Sequence, residues 1–321
     1  MKITVILCTY NRCRKLGKAL ESLAASILPR SVAWEVLVVD NNSTDRTREV
    51  VEDFANRFPD KFRYLFEPRQ GKSRALNAGI REARGDLLAF VDDDVIVAPT
   101  WLQNLTAPLD GGVWAGVGGR VLLQETIAEP SWLPLNGPFS LAGMLTVFDL
   151  GDDGFCLDVP PFGTNMAFPR PVFEKYGDFR TDMGPCPGSE IRNEDTEFGR
   201  RLLLAGERLW YAPSAIVYHE VPEERLKKGY FLRFWYDHGR AAVIERGHRP
   251  DILGIPRYYL TLSKLLAITL PAQAIRWCIT FDPKQRFYFK GNVWSTIGQF
   301  VELSRQCTEW KKRASKTVTS E

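Results

Sequence analysis

The chain has 321 residues, 45% of them hydrophobic and 25% charged, with a net charge of +3. Those values mark an ordinary globular protein with a sizeable core, built as one large domain with an extension or as two domains. They exclude a nucleic-acid footprint, since no dense Lys/Arg stripe precedes the C-terminus, and six cysteines without a CxxC pair exclude a disulfide scaffold and point to a reducing compartment.

Ile3–Cys8 is a continuous apolar, β-branched run, as expected of a strand buried on both faces, with Cys8 read as a small hydrophobe. It is too short for a signal-peptide core. Arg14–Leu28 places Leu16, Leu20, Leu23 and Ile27 at helical spacing, and a second strand, Trp34–Val39, ends at Asp40. Ser43 or Thr44 is expected to cap the next helix, whose apolar stripe is Val50, Val51, Phe54 and Phe58. A third strand is predicted over Phe62–Phe66 and a helix over Lys72–Ala83. A fourth strand, Asp86–Val91, runs straight into Asp92. Strand–helix alternation with short connections predicts an α/β fold, a mostly parallel sheet flanked by helices.

From Gly111 to Pro161 the rhythm is lost, and irregular loops around a site are expected. Order resumes at Thr164–Phe168 and in a helix over Asp195–Ala205. Beyond Pro222 the chain reads as three helical segments with a polar, frayed end. No stretch reaches the roughly 20 apolar residues that span a bilayer. The longest uncharged one, Leu265–Ile275, is interrupted by Pro271. A cytoplasmic location is expected, with contact at the inner face of a membrane left open.

In open parallel sheets, ligands gather beyond the carboxyl ends of the strands. Four polar signals fall there: Thr9-Tyr10-Asn11-Arg12, Asp40-Asn41-Asn42-Ser43, Gly71-Lys72-Ser73-Arg74 and Asp92-Asp93-Asp94. Three adjacent carboxylates repel and raise one another's pKa, and a hard divalent ion shared with substrate phosphates relieves them; the alternative is a solvated acidic turn. Lys72 and Arg74 suit a diphosphate or a solvated helix start. Asp40 suits a ribose, a base or turn chemistry, and Tyr10 suits base stacking or cover for the sheet edge. Glu194 and Asp195 either offset a helix dipole or supply a general base.

In this order the motifs resemble family 2 glycosyltransferases with the GT-A fold, over roughly residues 3–220. The resemblance rests on Thr9-Tyr10-Asn11-Arg12, Val38–Asp45, Arg74–Gly79, Phe90–Asp94 and Asn193-Glu194-Asp195, together with Gly163–Phe168 and Gly177-Asp178-Phe179. It implies an inverting transferase using a nucleotide-sugar, usually of uridine diphosphate, with Mn²⁺ or Mg²⁺. Thr9, Tyr10, Arg12 and Asp40 would hold the nucleotide, with Asn42 and Lys72 in the same donor site, and Arg74 would approach the diphosphate or base. Asp93 would contact the ribose, Asp94 would bind the metal, and Asp92 lies in the same donor site. Asp195, next to Glu194, would be the catalytic base. His219 is either a metal ligand near this point or a structural histidine. The acceptor would be a saccharide or a lipid-linked sugar.

The expected division is a catalytic domain over residues 1–221 and a helical extension over 222–321. In that extension Tyr230, Phe231, Phe234, Trp235 and Tyr236 alternate with Arg225, Lys227, Lys228 and Arg233, a pattern suited to a membrane interface or to internal packing. Two other classes stay open: a nucleotidyltransferase, disfavoured because no glycine follows the first strand in Thr9–Arg12, and a non-catalytic scaffold.

Overall fold

The computed structural model describes residues 2–125, 127, 129–189, 191–247 and 257–318, without the side chains of 257 and 309–318. The N-terminal elements follow the apolar pattern closely: β1 (Lys2–Thr9), α1 (Cys13–Ala24), β2 (Ala33–Asp40), α2 (Thr47–Arg57), β3 (Phe62–Phe66), α3 (Lys72–Glu82) and β4 (Leu87–Asp92). They continue as β5 (Val95–Val97), α4 (Trp101–Thr106), β6 (Gly116–Leu123), β7 (Phe155–Leu157), β8 (Asn165–Pro169), α5 (Arg170–Tyr176), α6 (Glu194–Leu204) and β9 (Leu209–His219). β1 lies inside the sheet with Ile3, Val5, Ile6 and Leu7 fully buried, which is why its sequence is apolar without alternation.

The nine strands form one mixed sheet of order β3-β2-β1-β4-β8-β6-β9-β5, with β7 on β9. β1, β2, β3 and β4 pair in parallel. β8 runs antiparallel to both β4 and β6, and β5 and β7 antiparallel to β9. Parallel pairing therefore runs unbroken through the first half and recurs between β6 and β9, with antiparallel β8 between the two parallel sets. The loss of rhythm after Gly111 hides β6, an interior strand with the sequence GVGGRVLL. Its glycines are demanded by packing: a Cβ on Gly119 would lie 2.3 Å from Asn165 Nδ2 and 2.5 Å from the Ala215 carbonyl. Glycine erases the alternation that marks a strand.

Ser43 and Thr44 do not cap α2. The Asn11 amide donates to Ser43 Oγ, the Thr44 amide donates to Asn11 Oδ1, and the first-turn amide of Thr47 donates to Asp45. Asp45 also accepts from the Cys13 amide, so two loops at the sheet edge are fastened together.

Contacts divide the chain into two compact units: Met1–Ile127, Leu145–Ser189 and Asn193–Val221 in the first; Ala128–Met144, Glu190–Arg192 and Pro222–Glu321 in the second. The second unit holds α7 (Lys228–Arg246), α8 (Arg257–Lys264), a π-helical turn over Leu265–Thr269, α9 (Leu270–Ile279) and α10 (Pro283–Val318). These make three continuous helical stretches, and the helix at the end extends past the point where fraying was expected. Phe231 and Trp235 are buried, with Trp132 edge-on to both Phe231 and Phe287. At least these two members of the basic aromatic stretch pack internally. No helix among the described residues is long and apolar enough to cross a membrane.

Asn165 is fully buried; its amide donates to the carbonyls of Arg120 and Ala215 and accepts from the Trp101 indole. Asn165→Ala removes three hydrogen bonds, to the Trp101 indole and to the carbonyls of Arg120 and Ala215, and is expected to cost about 3 kcal/mol, read as a lower urea midpoint at unchanged slope.

Candidate functional site

Register sets the site. Thr9 pairs with Asp40 across β1 and β2, and Cys8 pairs with Asp92 across β1 and β4, so the three strands end level. β8, running the other way, begins at that same edge beside Val91 and brings Gly163 and Thr164 to it. β9 pairs in parallel with β6, and Val95 pairs with His219, so the end of β9 arrives beside the turn that follows β4.

The acidic triplet is divided among different partners. Asp92 accepts from Lys72 Nζ at 2.9 Å and Thr164 Oγ1 at 2.7 Å. Asp93, nearly buried, accepts from Thr9 Oγ1 at 2.7 Å and Arg12 Nη1 at 2.9 Å. Asp94 accepts from the same Arg12 nitrogen at 3.1 Å, and its carboxylate lies 3.8 Å from His219 Nε2. Burial pushes the Asp93 carboxyl up to about 6 against the pull of Arg12, with Asp94 adding to the rise. Two protein cations thus offset much of the charge that the sequence assigned to a metal.

Lys72 does not extend toward open solvent. Its ammonium bridges Asp92 and, at 3.5 Å, Glu194 Oε1. Burial opposes the charged lysine, but Asp92, Glu194 and Asp195 outweigh it and hold the ammonium firmly protonated. Burial raises the Glu194 carboxyl despite Lys72, whereas Lys72 holds Asp92 below its usual range against burial. Arg74, half-buried in the first turn of α3, has a guanidinium with no hydrogen bond or ion pair among the described residues. Gly71 precedes α3 with φ +136°, a conformation open to glycine, and its amide donates to Asn41 Oδ1.

Asp40 accepts from the Ser43 amide at 2.9 Å and from Tyr64 Oη at 2.8 Å. Tyr10 is exposed, and Asn42 turns the loop after β2 with φ +67°. Asp195 Oδ2 accepts from the Gly163 amide at 2.6 Å, and Oδ1 accepts from the Thr196 amide at 2.7 Å. α6 is held by Phe198, fully buried against Phe168, Phe173 and Phe179 at centroid distances of 5.2, 4.8 and 4.9 Å. Glu194 and Asp195 therefore open a helix whose position the aromatic core decides. Among the described residues no three His, Cys, Asp or Glu side chains cluster as a metal site.

All the expected site residues fall in the first unit, around this edge. Individual residue readings missed Tyr64 on Asp40, the Thr164 hydroxyl on Asp92 and the Gly163 amide on Asp195. Only Gly163 and Thr164 carried a signal, through the Gly163–Phe168 motif.

A mixed α/β sheet with these acids at its carboxyl edge is the arrangement that the resemblance to GT-A glycosyltransferases implied. The profile of Glycosyl transferase family 2 matches residues 4–177. The succinoglycan biosynthesis protein ExoM of Rhizobium meliloti (strain 1021) is 30% identical over 255 residues, 77% of each chain. A mannosyltransferase, PcManGT of Pyrobaculum calidifontis, in complex with GDP-Man and Mn²⁺, superposes with TM-score 0.59 at 20% identity over 93% of this chain and 86% of that one. GalNAc-T7 with UDP, GalNAc and Mn²⁺ gives 0.56 at 16% identity over 79% and 52%. The chain belongs to Glycosyl transferase family 2.

Lys72→Met leaves the buried Glu194 and the part-buried Asp92 without their shared cation and is expected to cost about 3 kcal/mol at pH 8. Glu194, already raised in the folded wild type, rises further in the variant. The folded state then holds more protons than the unfolded one, so stability falls as pH rises above the ordinary glutamate range. Denaturation midpoints should show the deficit shrinking on acidification toward pH 5.

Proposed function

We propose that this glycosyltransferase moves a sugar from a nucleoside-diphosphate sugar, a UDP-sugar in the first instance, to an acceptor hydroxyl with inversion at the anomeric carbon. The observation that carries the reading is convergence at one sheet edge: Thr9, Arg12, Asp93, Asp94 and His219 gather in the first unit, which also holds Asp195 at the start of α6. The complexes of PcManGT and GalNAc-T7 hold Mn²⁺ with GDP-Man and with UDP, respectively, which supports a nucleotide donor while leaving uridine against guanosine to experiment.

Asp94 and His219 would hold the divalent cation, Mn²⁺ or Mg²⁺. An oxygen and an imidazole nitrogen 3.8 Å apart suit two positions on one ion, with donor phosphates completing the set. When bound, the ion supplies positive charge to the departing diphosphate. The nearby Asp93 and Asp40 carboxylates face the ribose and base, with Tyr10, Asn42 and Arg12 around them. The Arg74 guanidinium is uncommitted and can take a phosphate oxygen. Asp195 accepts the acceptor hydroxyl proton as the oxygen bonds to the anomeric carbon and the bond to the diphosphate oxygen breaks. The Gly163 amide holds the carboxylate that does this. Lys72 positions Glu194 and Asp92 beside it rather than touching the donor. The acceptor is a saccharide or lipid-linked sugar, met in the cytoplasm at the inner face of a membrane.

Calorimetric titration with UDP and with GDP, each with and without Mn²⁺, is expected to show metal-dependent binding of one of them. Absence of metal-dependent binding for both would overturn the reading. Asp94→Ala is expected to abolish metal-dependent transfer with the fold intact, and His219→Ala to weaken Mn²⁺ affinity by about 10–100-fold. Asp195→Asn should keep donor binding but slow transfer by about 10²–10⁴-fold. An unimpaired rate in Asp195→Asn would refute its role as base.

A further inference from the structure

The helical stretch from α8 through α9 differs from the rest of the second unit. No residue of α9 is buried. Ile268, Ile275 and Ile279 are 62%, 58% and 64% exposed, Leu266 is 50% exposed, and Phe281 just beyond the helix is 94% exposed. Ile268, Ile275 and Ile279 fall at spacings of seven and four, which places them on one helical face. Leaving this much large aliphatic and aromatic surface in water is unfavourable, roughly in proportion to its area.

The charges of the segment are one-sided. Between residues 258 and 281 the only charged side chains are Lys264 and Arg276, and no acid occurs. Both cations are exposed, and neither has an acidic partner among the described residues. A protein surface covering such a face would be expected to offer them carboxylates in fixed places. A bilayer surface offers mobile anionic headgroups at any position along the helix and an apolar boundary beneath them. The stretch is not apolar enough to cross a membrane. Laid flat, its helical residues 257–279 span about 35 Å, long enough to seat the isoleucine face in the headgroup boundary with the cations toward phosphate.

We infer that residues 257–281 form an in-plane anchor for a membrane surface carrying anionic lipid. This rests on the reading of the protein as one that works at a membrane. It moves the contact away from the aromatic stretch of α7, where Phe231 and Trp235 are used in packing.

Vesicle pelleting of the full chain tests it. The chain is expected to pellet with phosphatidylcholine vesicles containing about 30% phosphatidylglycerol, less with phosphatidylcholine alone, and less as salt rises. Ile275→Glu with Phe281→Glu is expected to weaken vesicle binding by about tenfold or more at unchanged melting temperature, because both side chains are already exposed. Lys264→Glu with Arg276→Glu should remove the preference for anionic vesicles. If the first pair lowers the melting temperature, the charge-reversal pair decides. Unchanged pelleting in both variants, or no pelleting of the wild type, overturns the anchor. So does a wild-type dimer in solution that the Glu substitutions convert to a monomer, since a second copy then covers the face. Titration of UDP and GDP with Mn²⁺ reads the donor site separately: Glu variants that keep nucleotide binding and lose vesicle binding support the anchor. A wild type that pellets without binding either nucleotide faults the donor reading instead.

Discussion

A part-buried ammonium between two carboxylates ties the candidate active site together. Lys72 opens α3, Asp92 closes β4 and Glu194 opens α6, and the three charges meet within 3.5 Å of the lysine nitrogen. Desolvating any one of them alone would be costly, so the three elements can end at this edge only together. The same contact places Asp195, one residue beyond Glu194, where the Gly163 amide meets it. Arg12 plays the matching part on the other side, one guanidinium nitrogen spanning Asp93 and Asp94.

This arrangement changes the meaning of the acidic triplet. As bare sequence, three aspartates in a row call for an external cation. In the fold each is treated differently: Asp92 is tied to Lys72 and Thr164, Asp93 to Thr9 and Arg12, and Asp94 lies beside His219 at the sheet edge. Lys72 offsets Asp92 and Arg12 is shared by Asp93 and Asp94, and Asp94 alone of the three also faces His219, the pair proposed to hold the metal. A donor diphosphate would compete with Asp93 and Asp94 for Arg12, so donor binding and the free state of the site draw on the same charge.

The aromatic core stands behind this polar edge. Phe90, Phe168, Phe173, Phe179 and Phe198 pack with centroids 4.8–6.3 Å apart, joining β4, β8, α5 and α6. Ring packing of this kind tolerates little displacement, so the N-terminus of α6 is carried on a rigid support. The site thus combines loops that end flexible-looking sequence motifs with helices whose seats are decided deep in the core.

Local sequence was enough wherever the signal is local. The strands through Asp92 showed in continuous apolar runs, the helices in their spacing, and the family in the order of motifs from Thr9 to Asp195. It failed where partners are distant in the chain. β6 escaped because close packing against Asn165 and Ala215 demands glycine at Gly119, and glycine carries no periodicity. The role of Lys72 escaped because Glu194 lies far along the chain, and Tyr64 escaped because its tie to Asp40 depends on the register of β2 with β3. Which acids are paired, which are raised and which stand open is a property of burial and of non-local charge, and only the tertiary structure decides those.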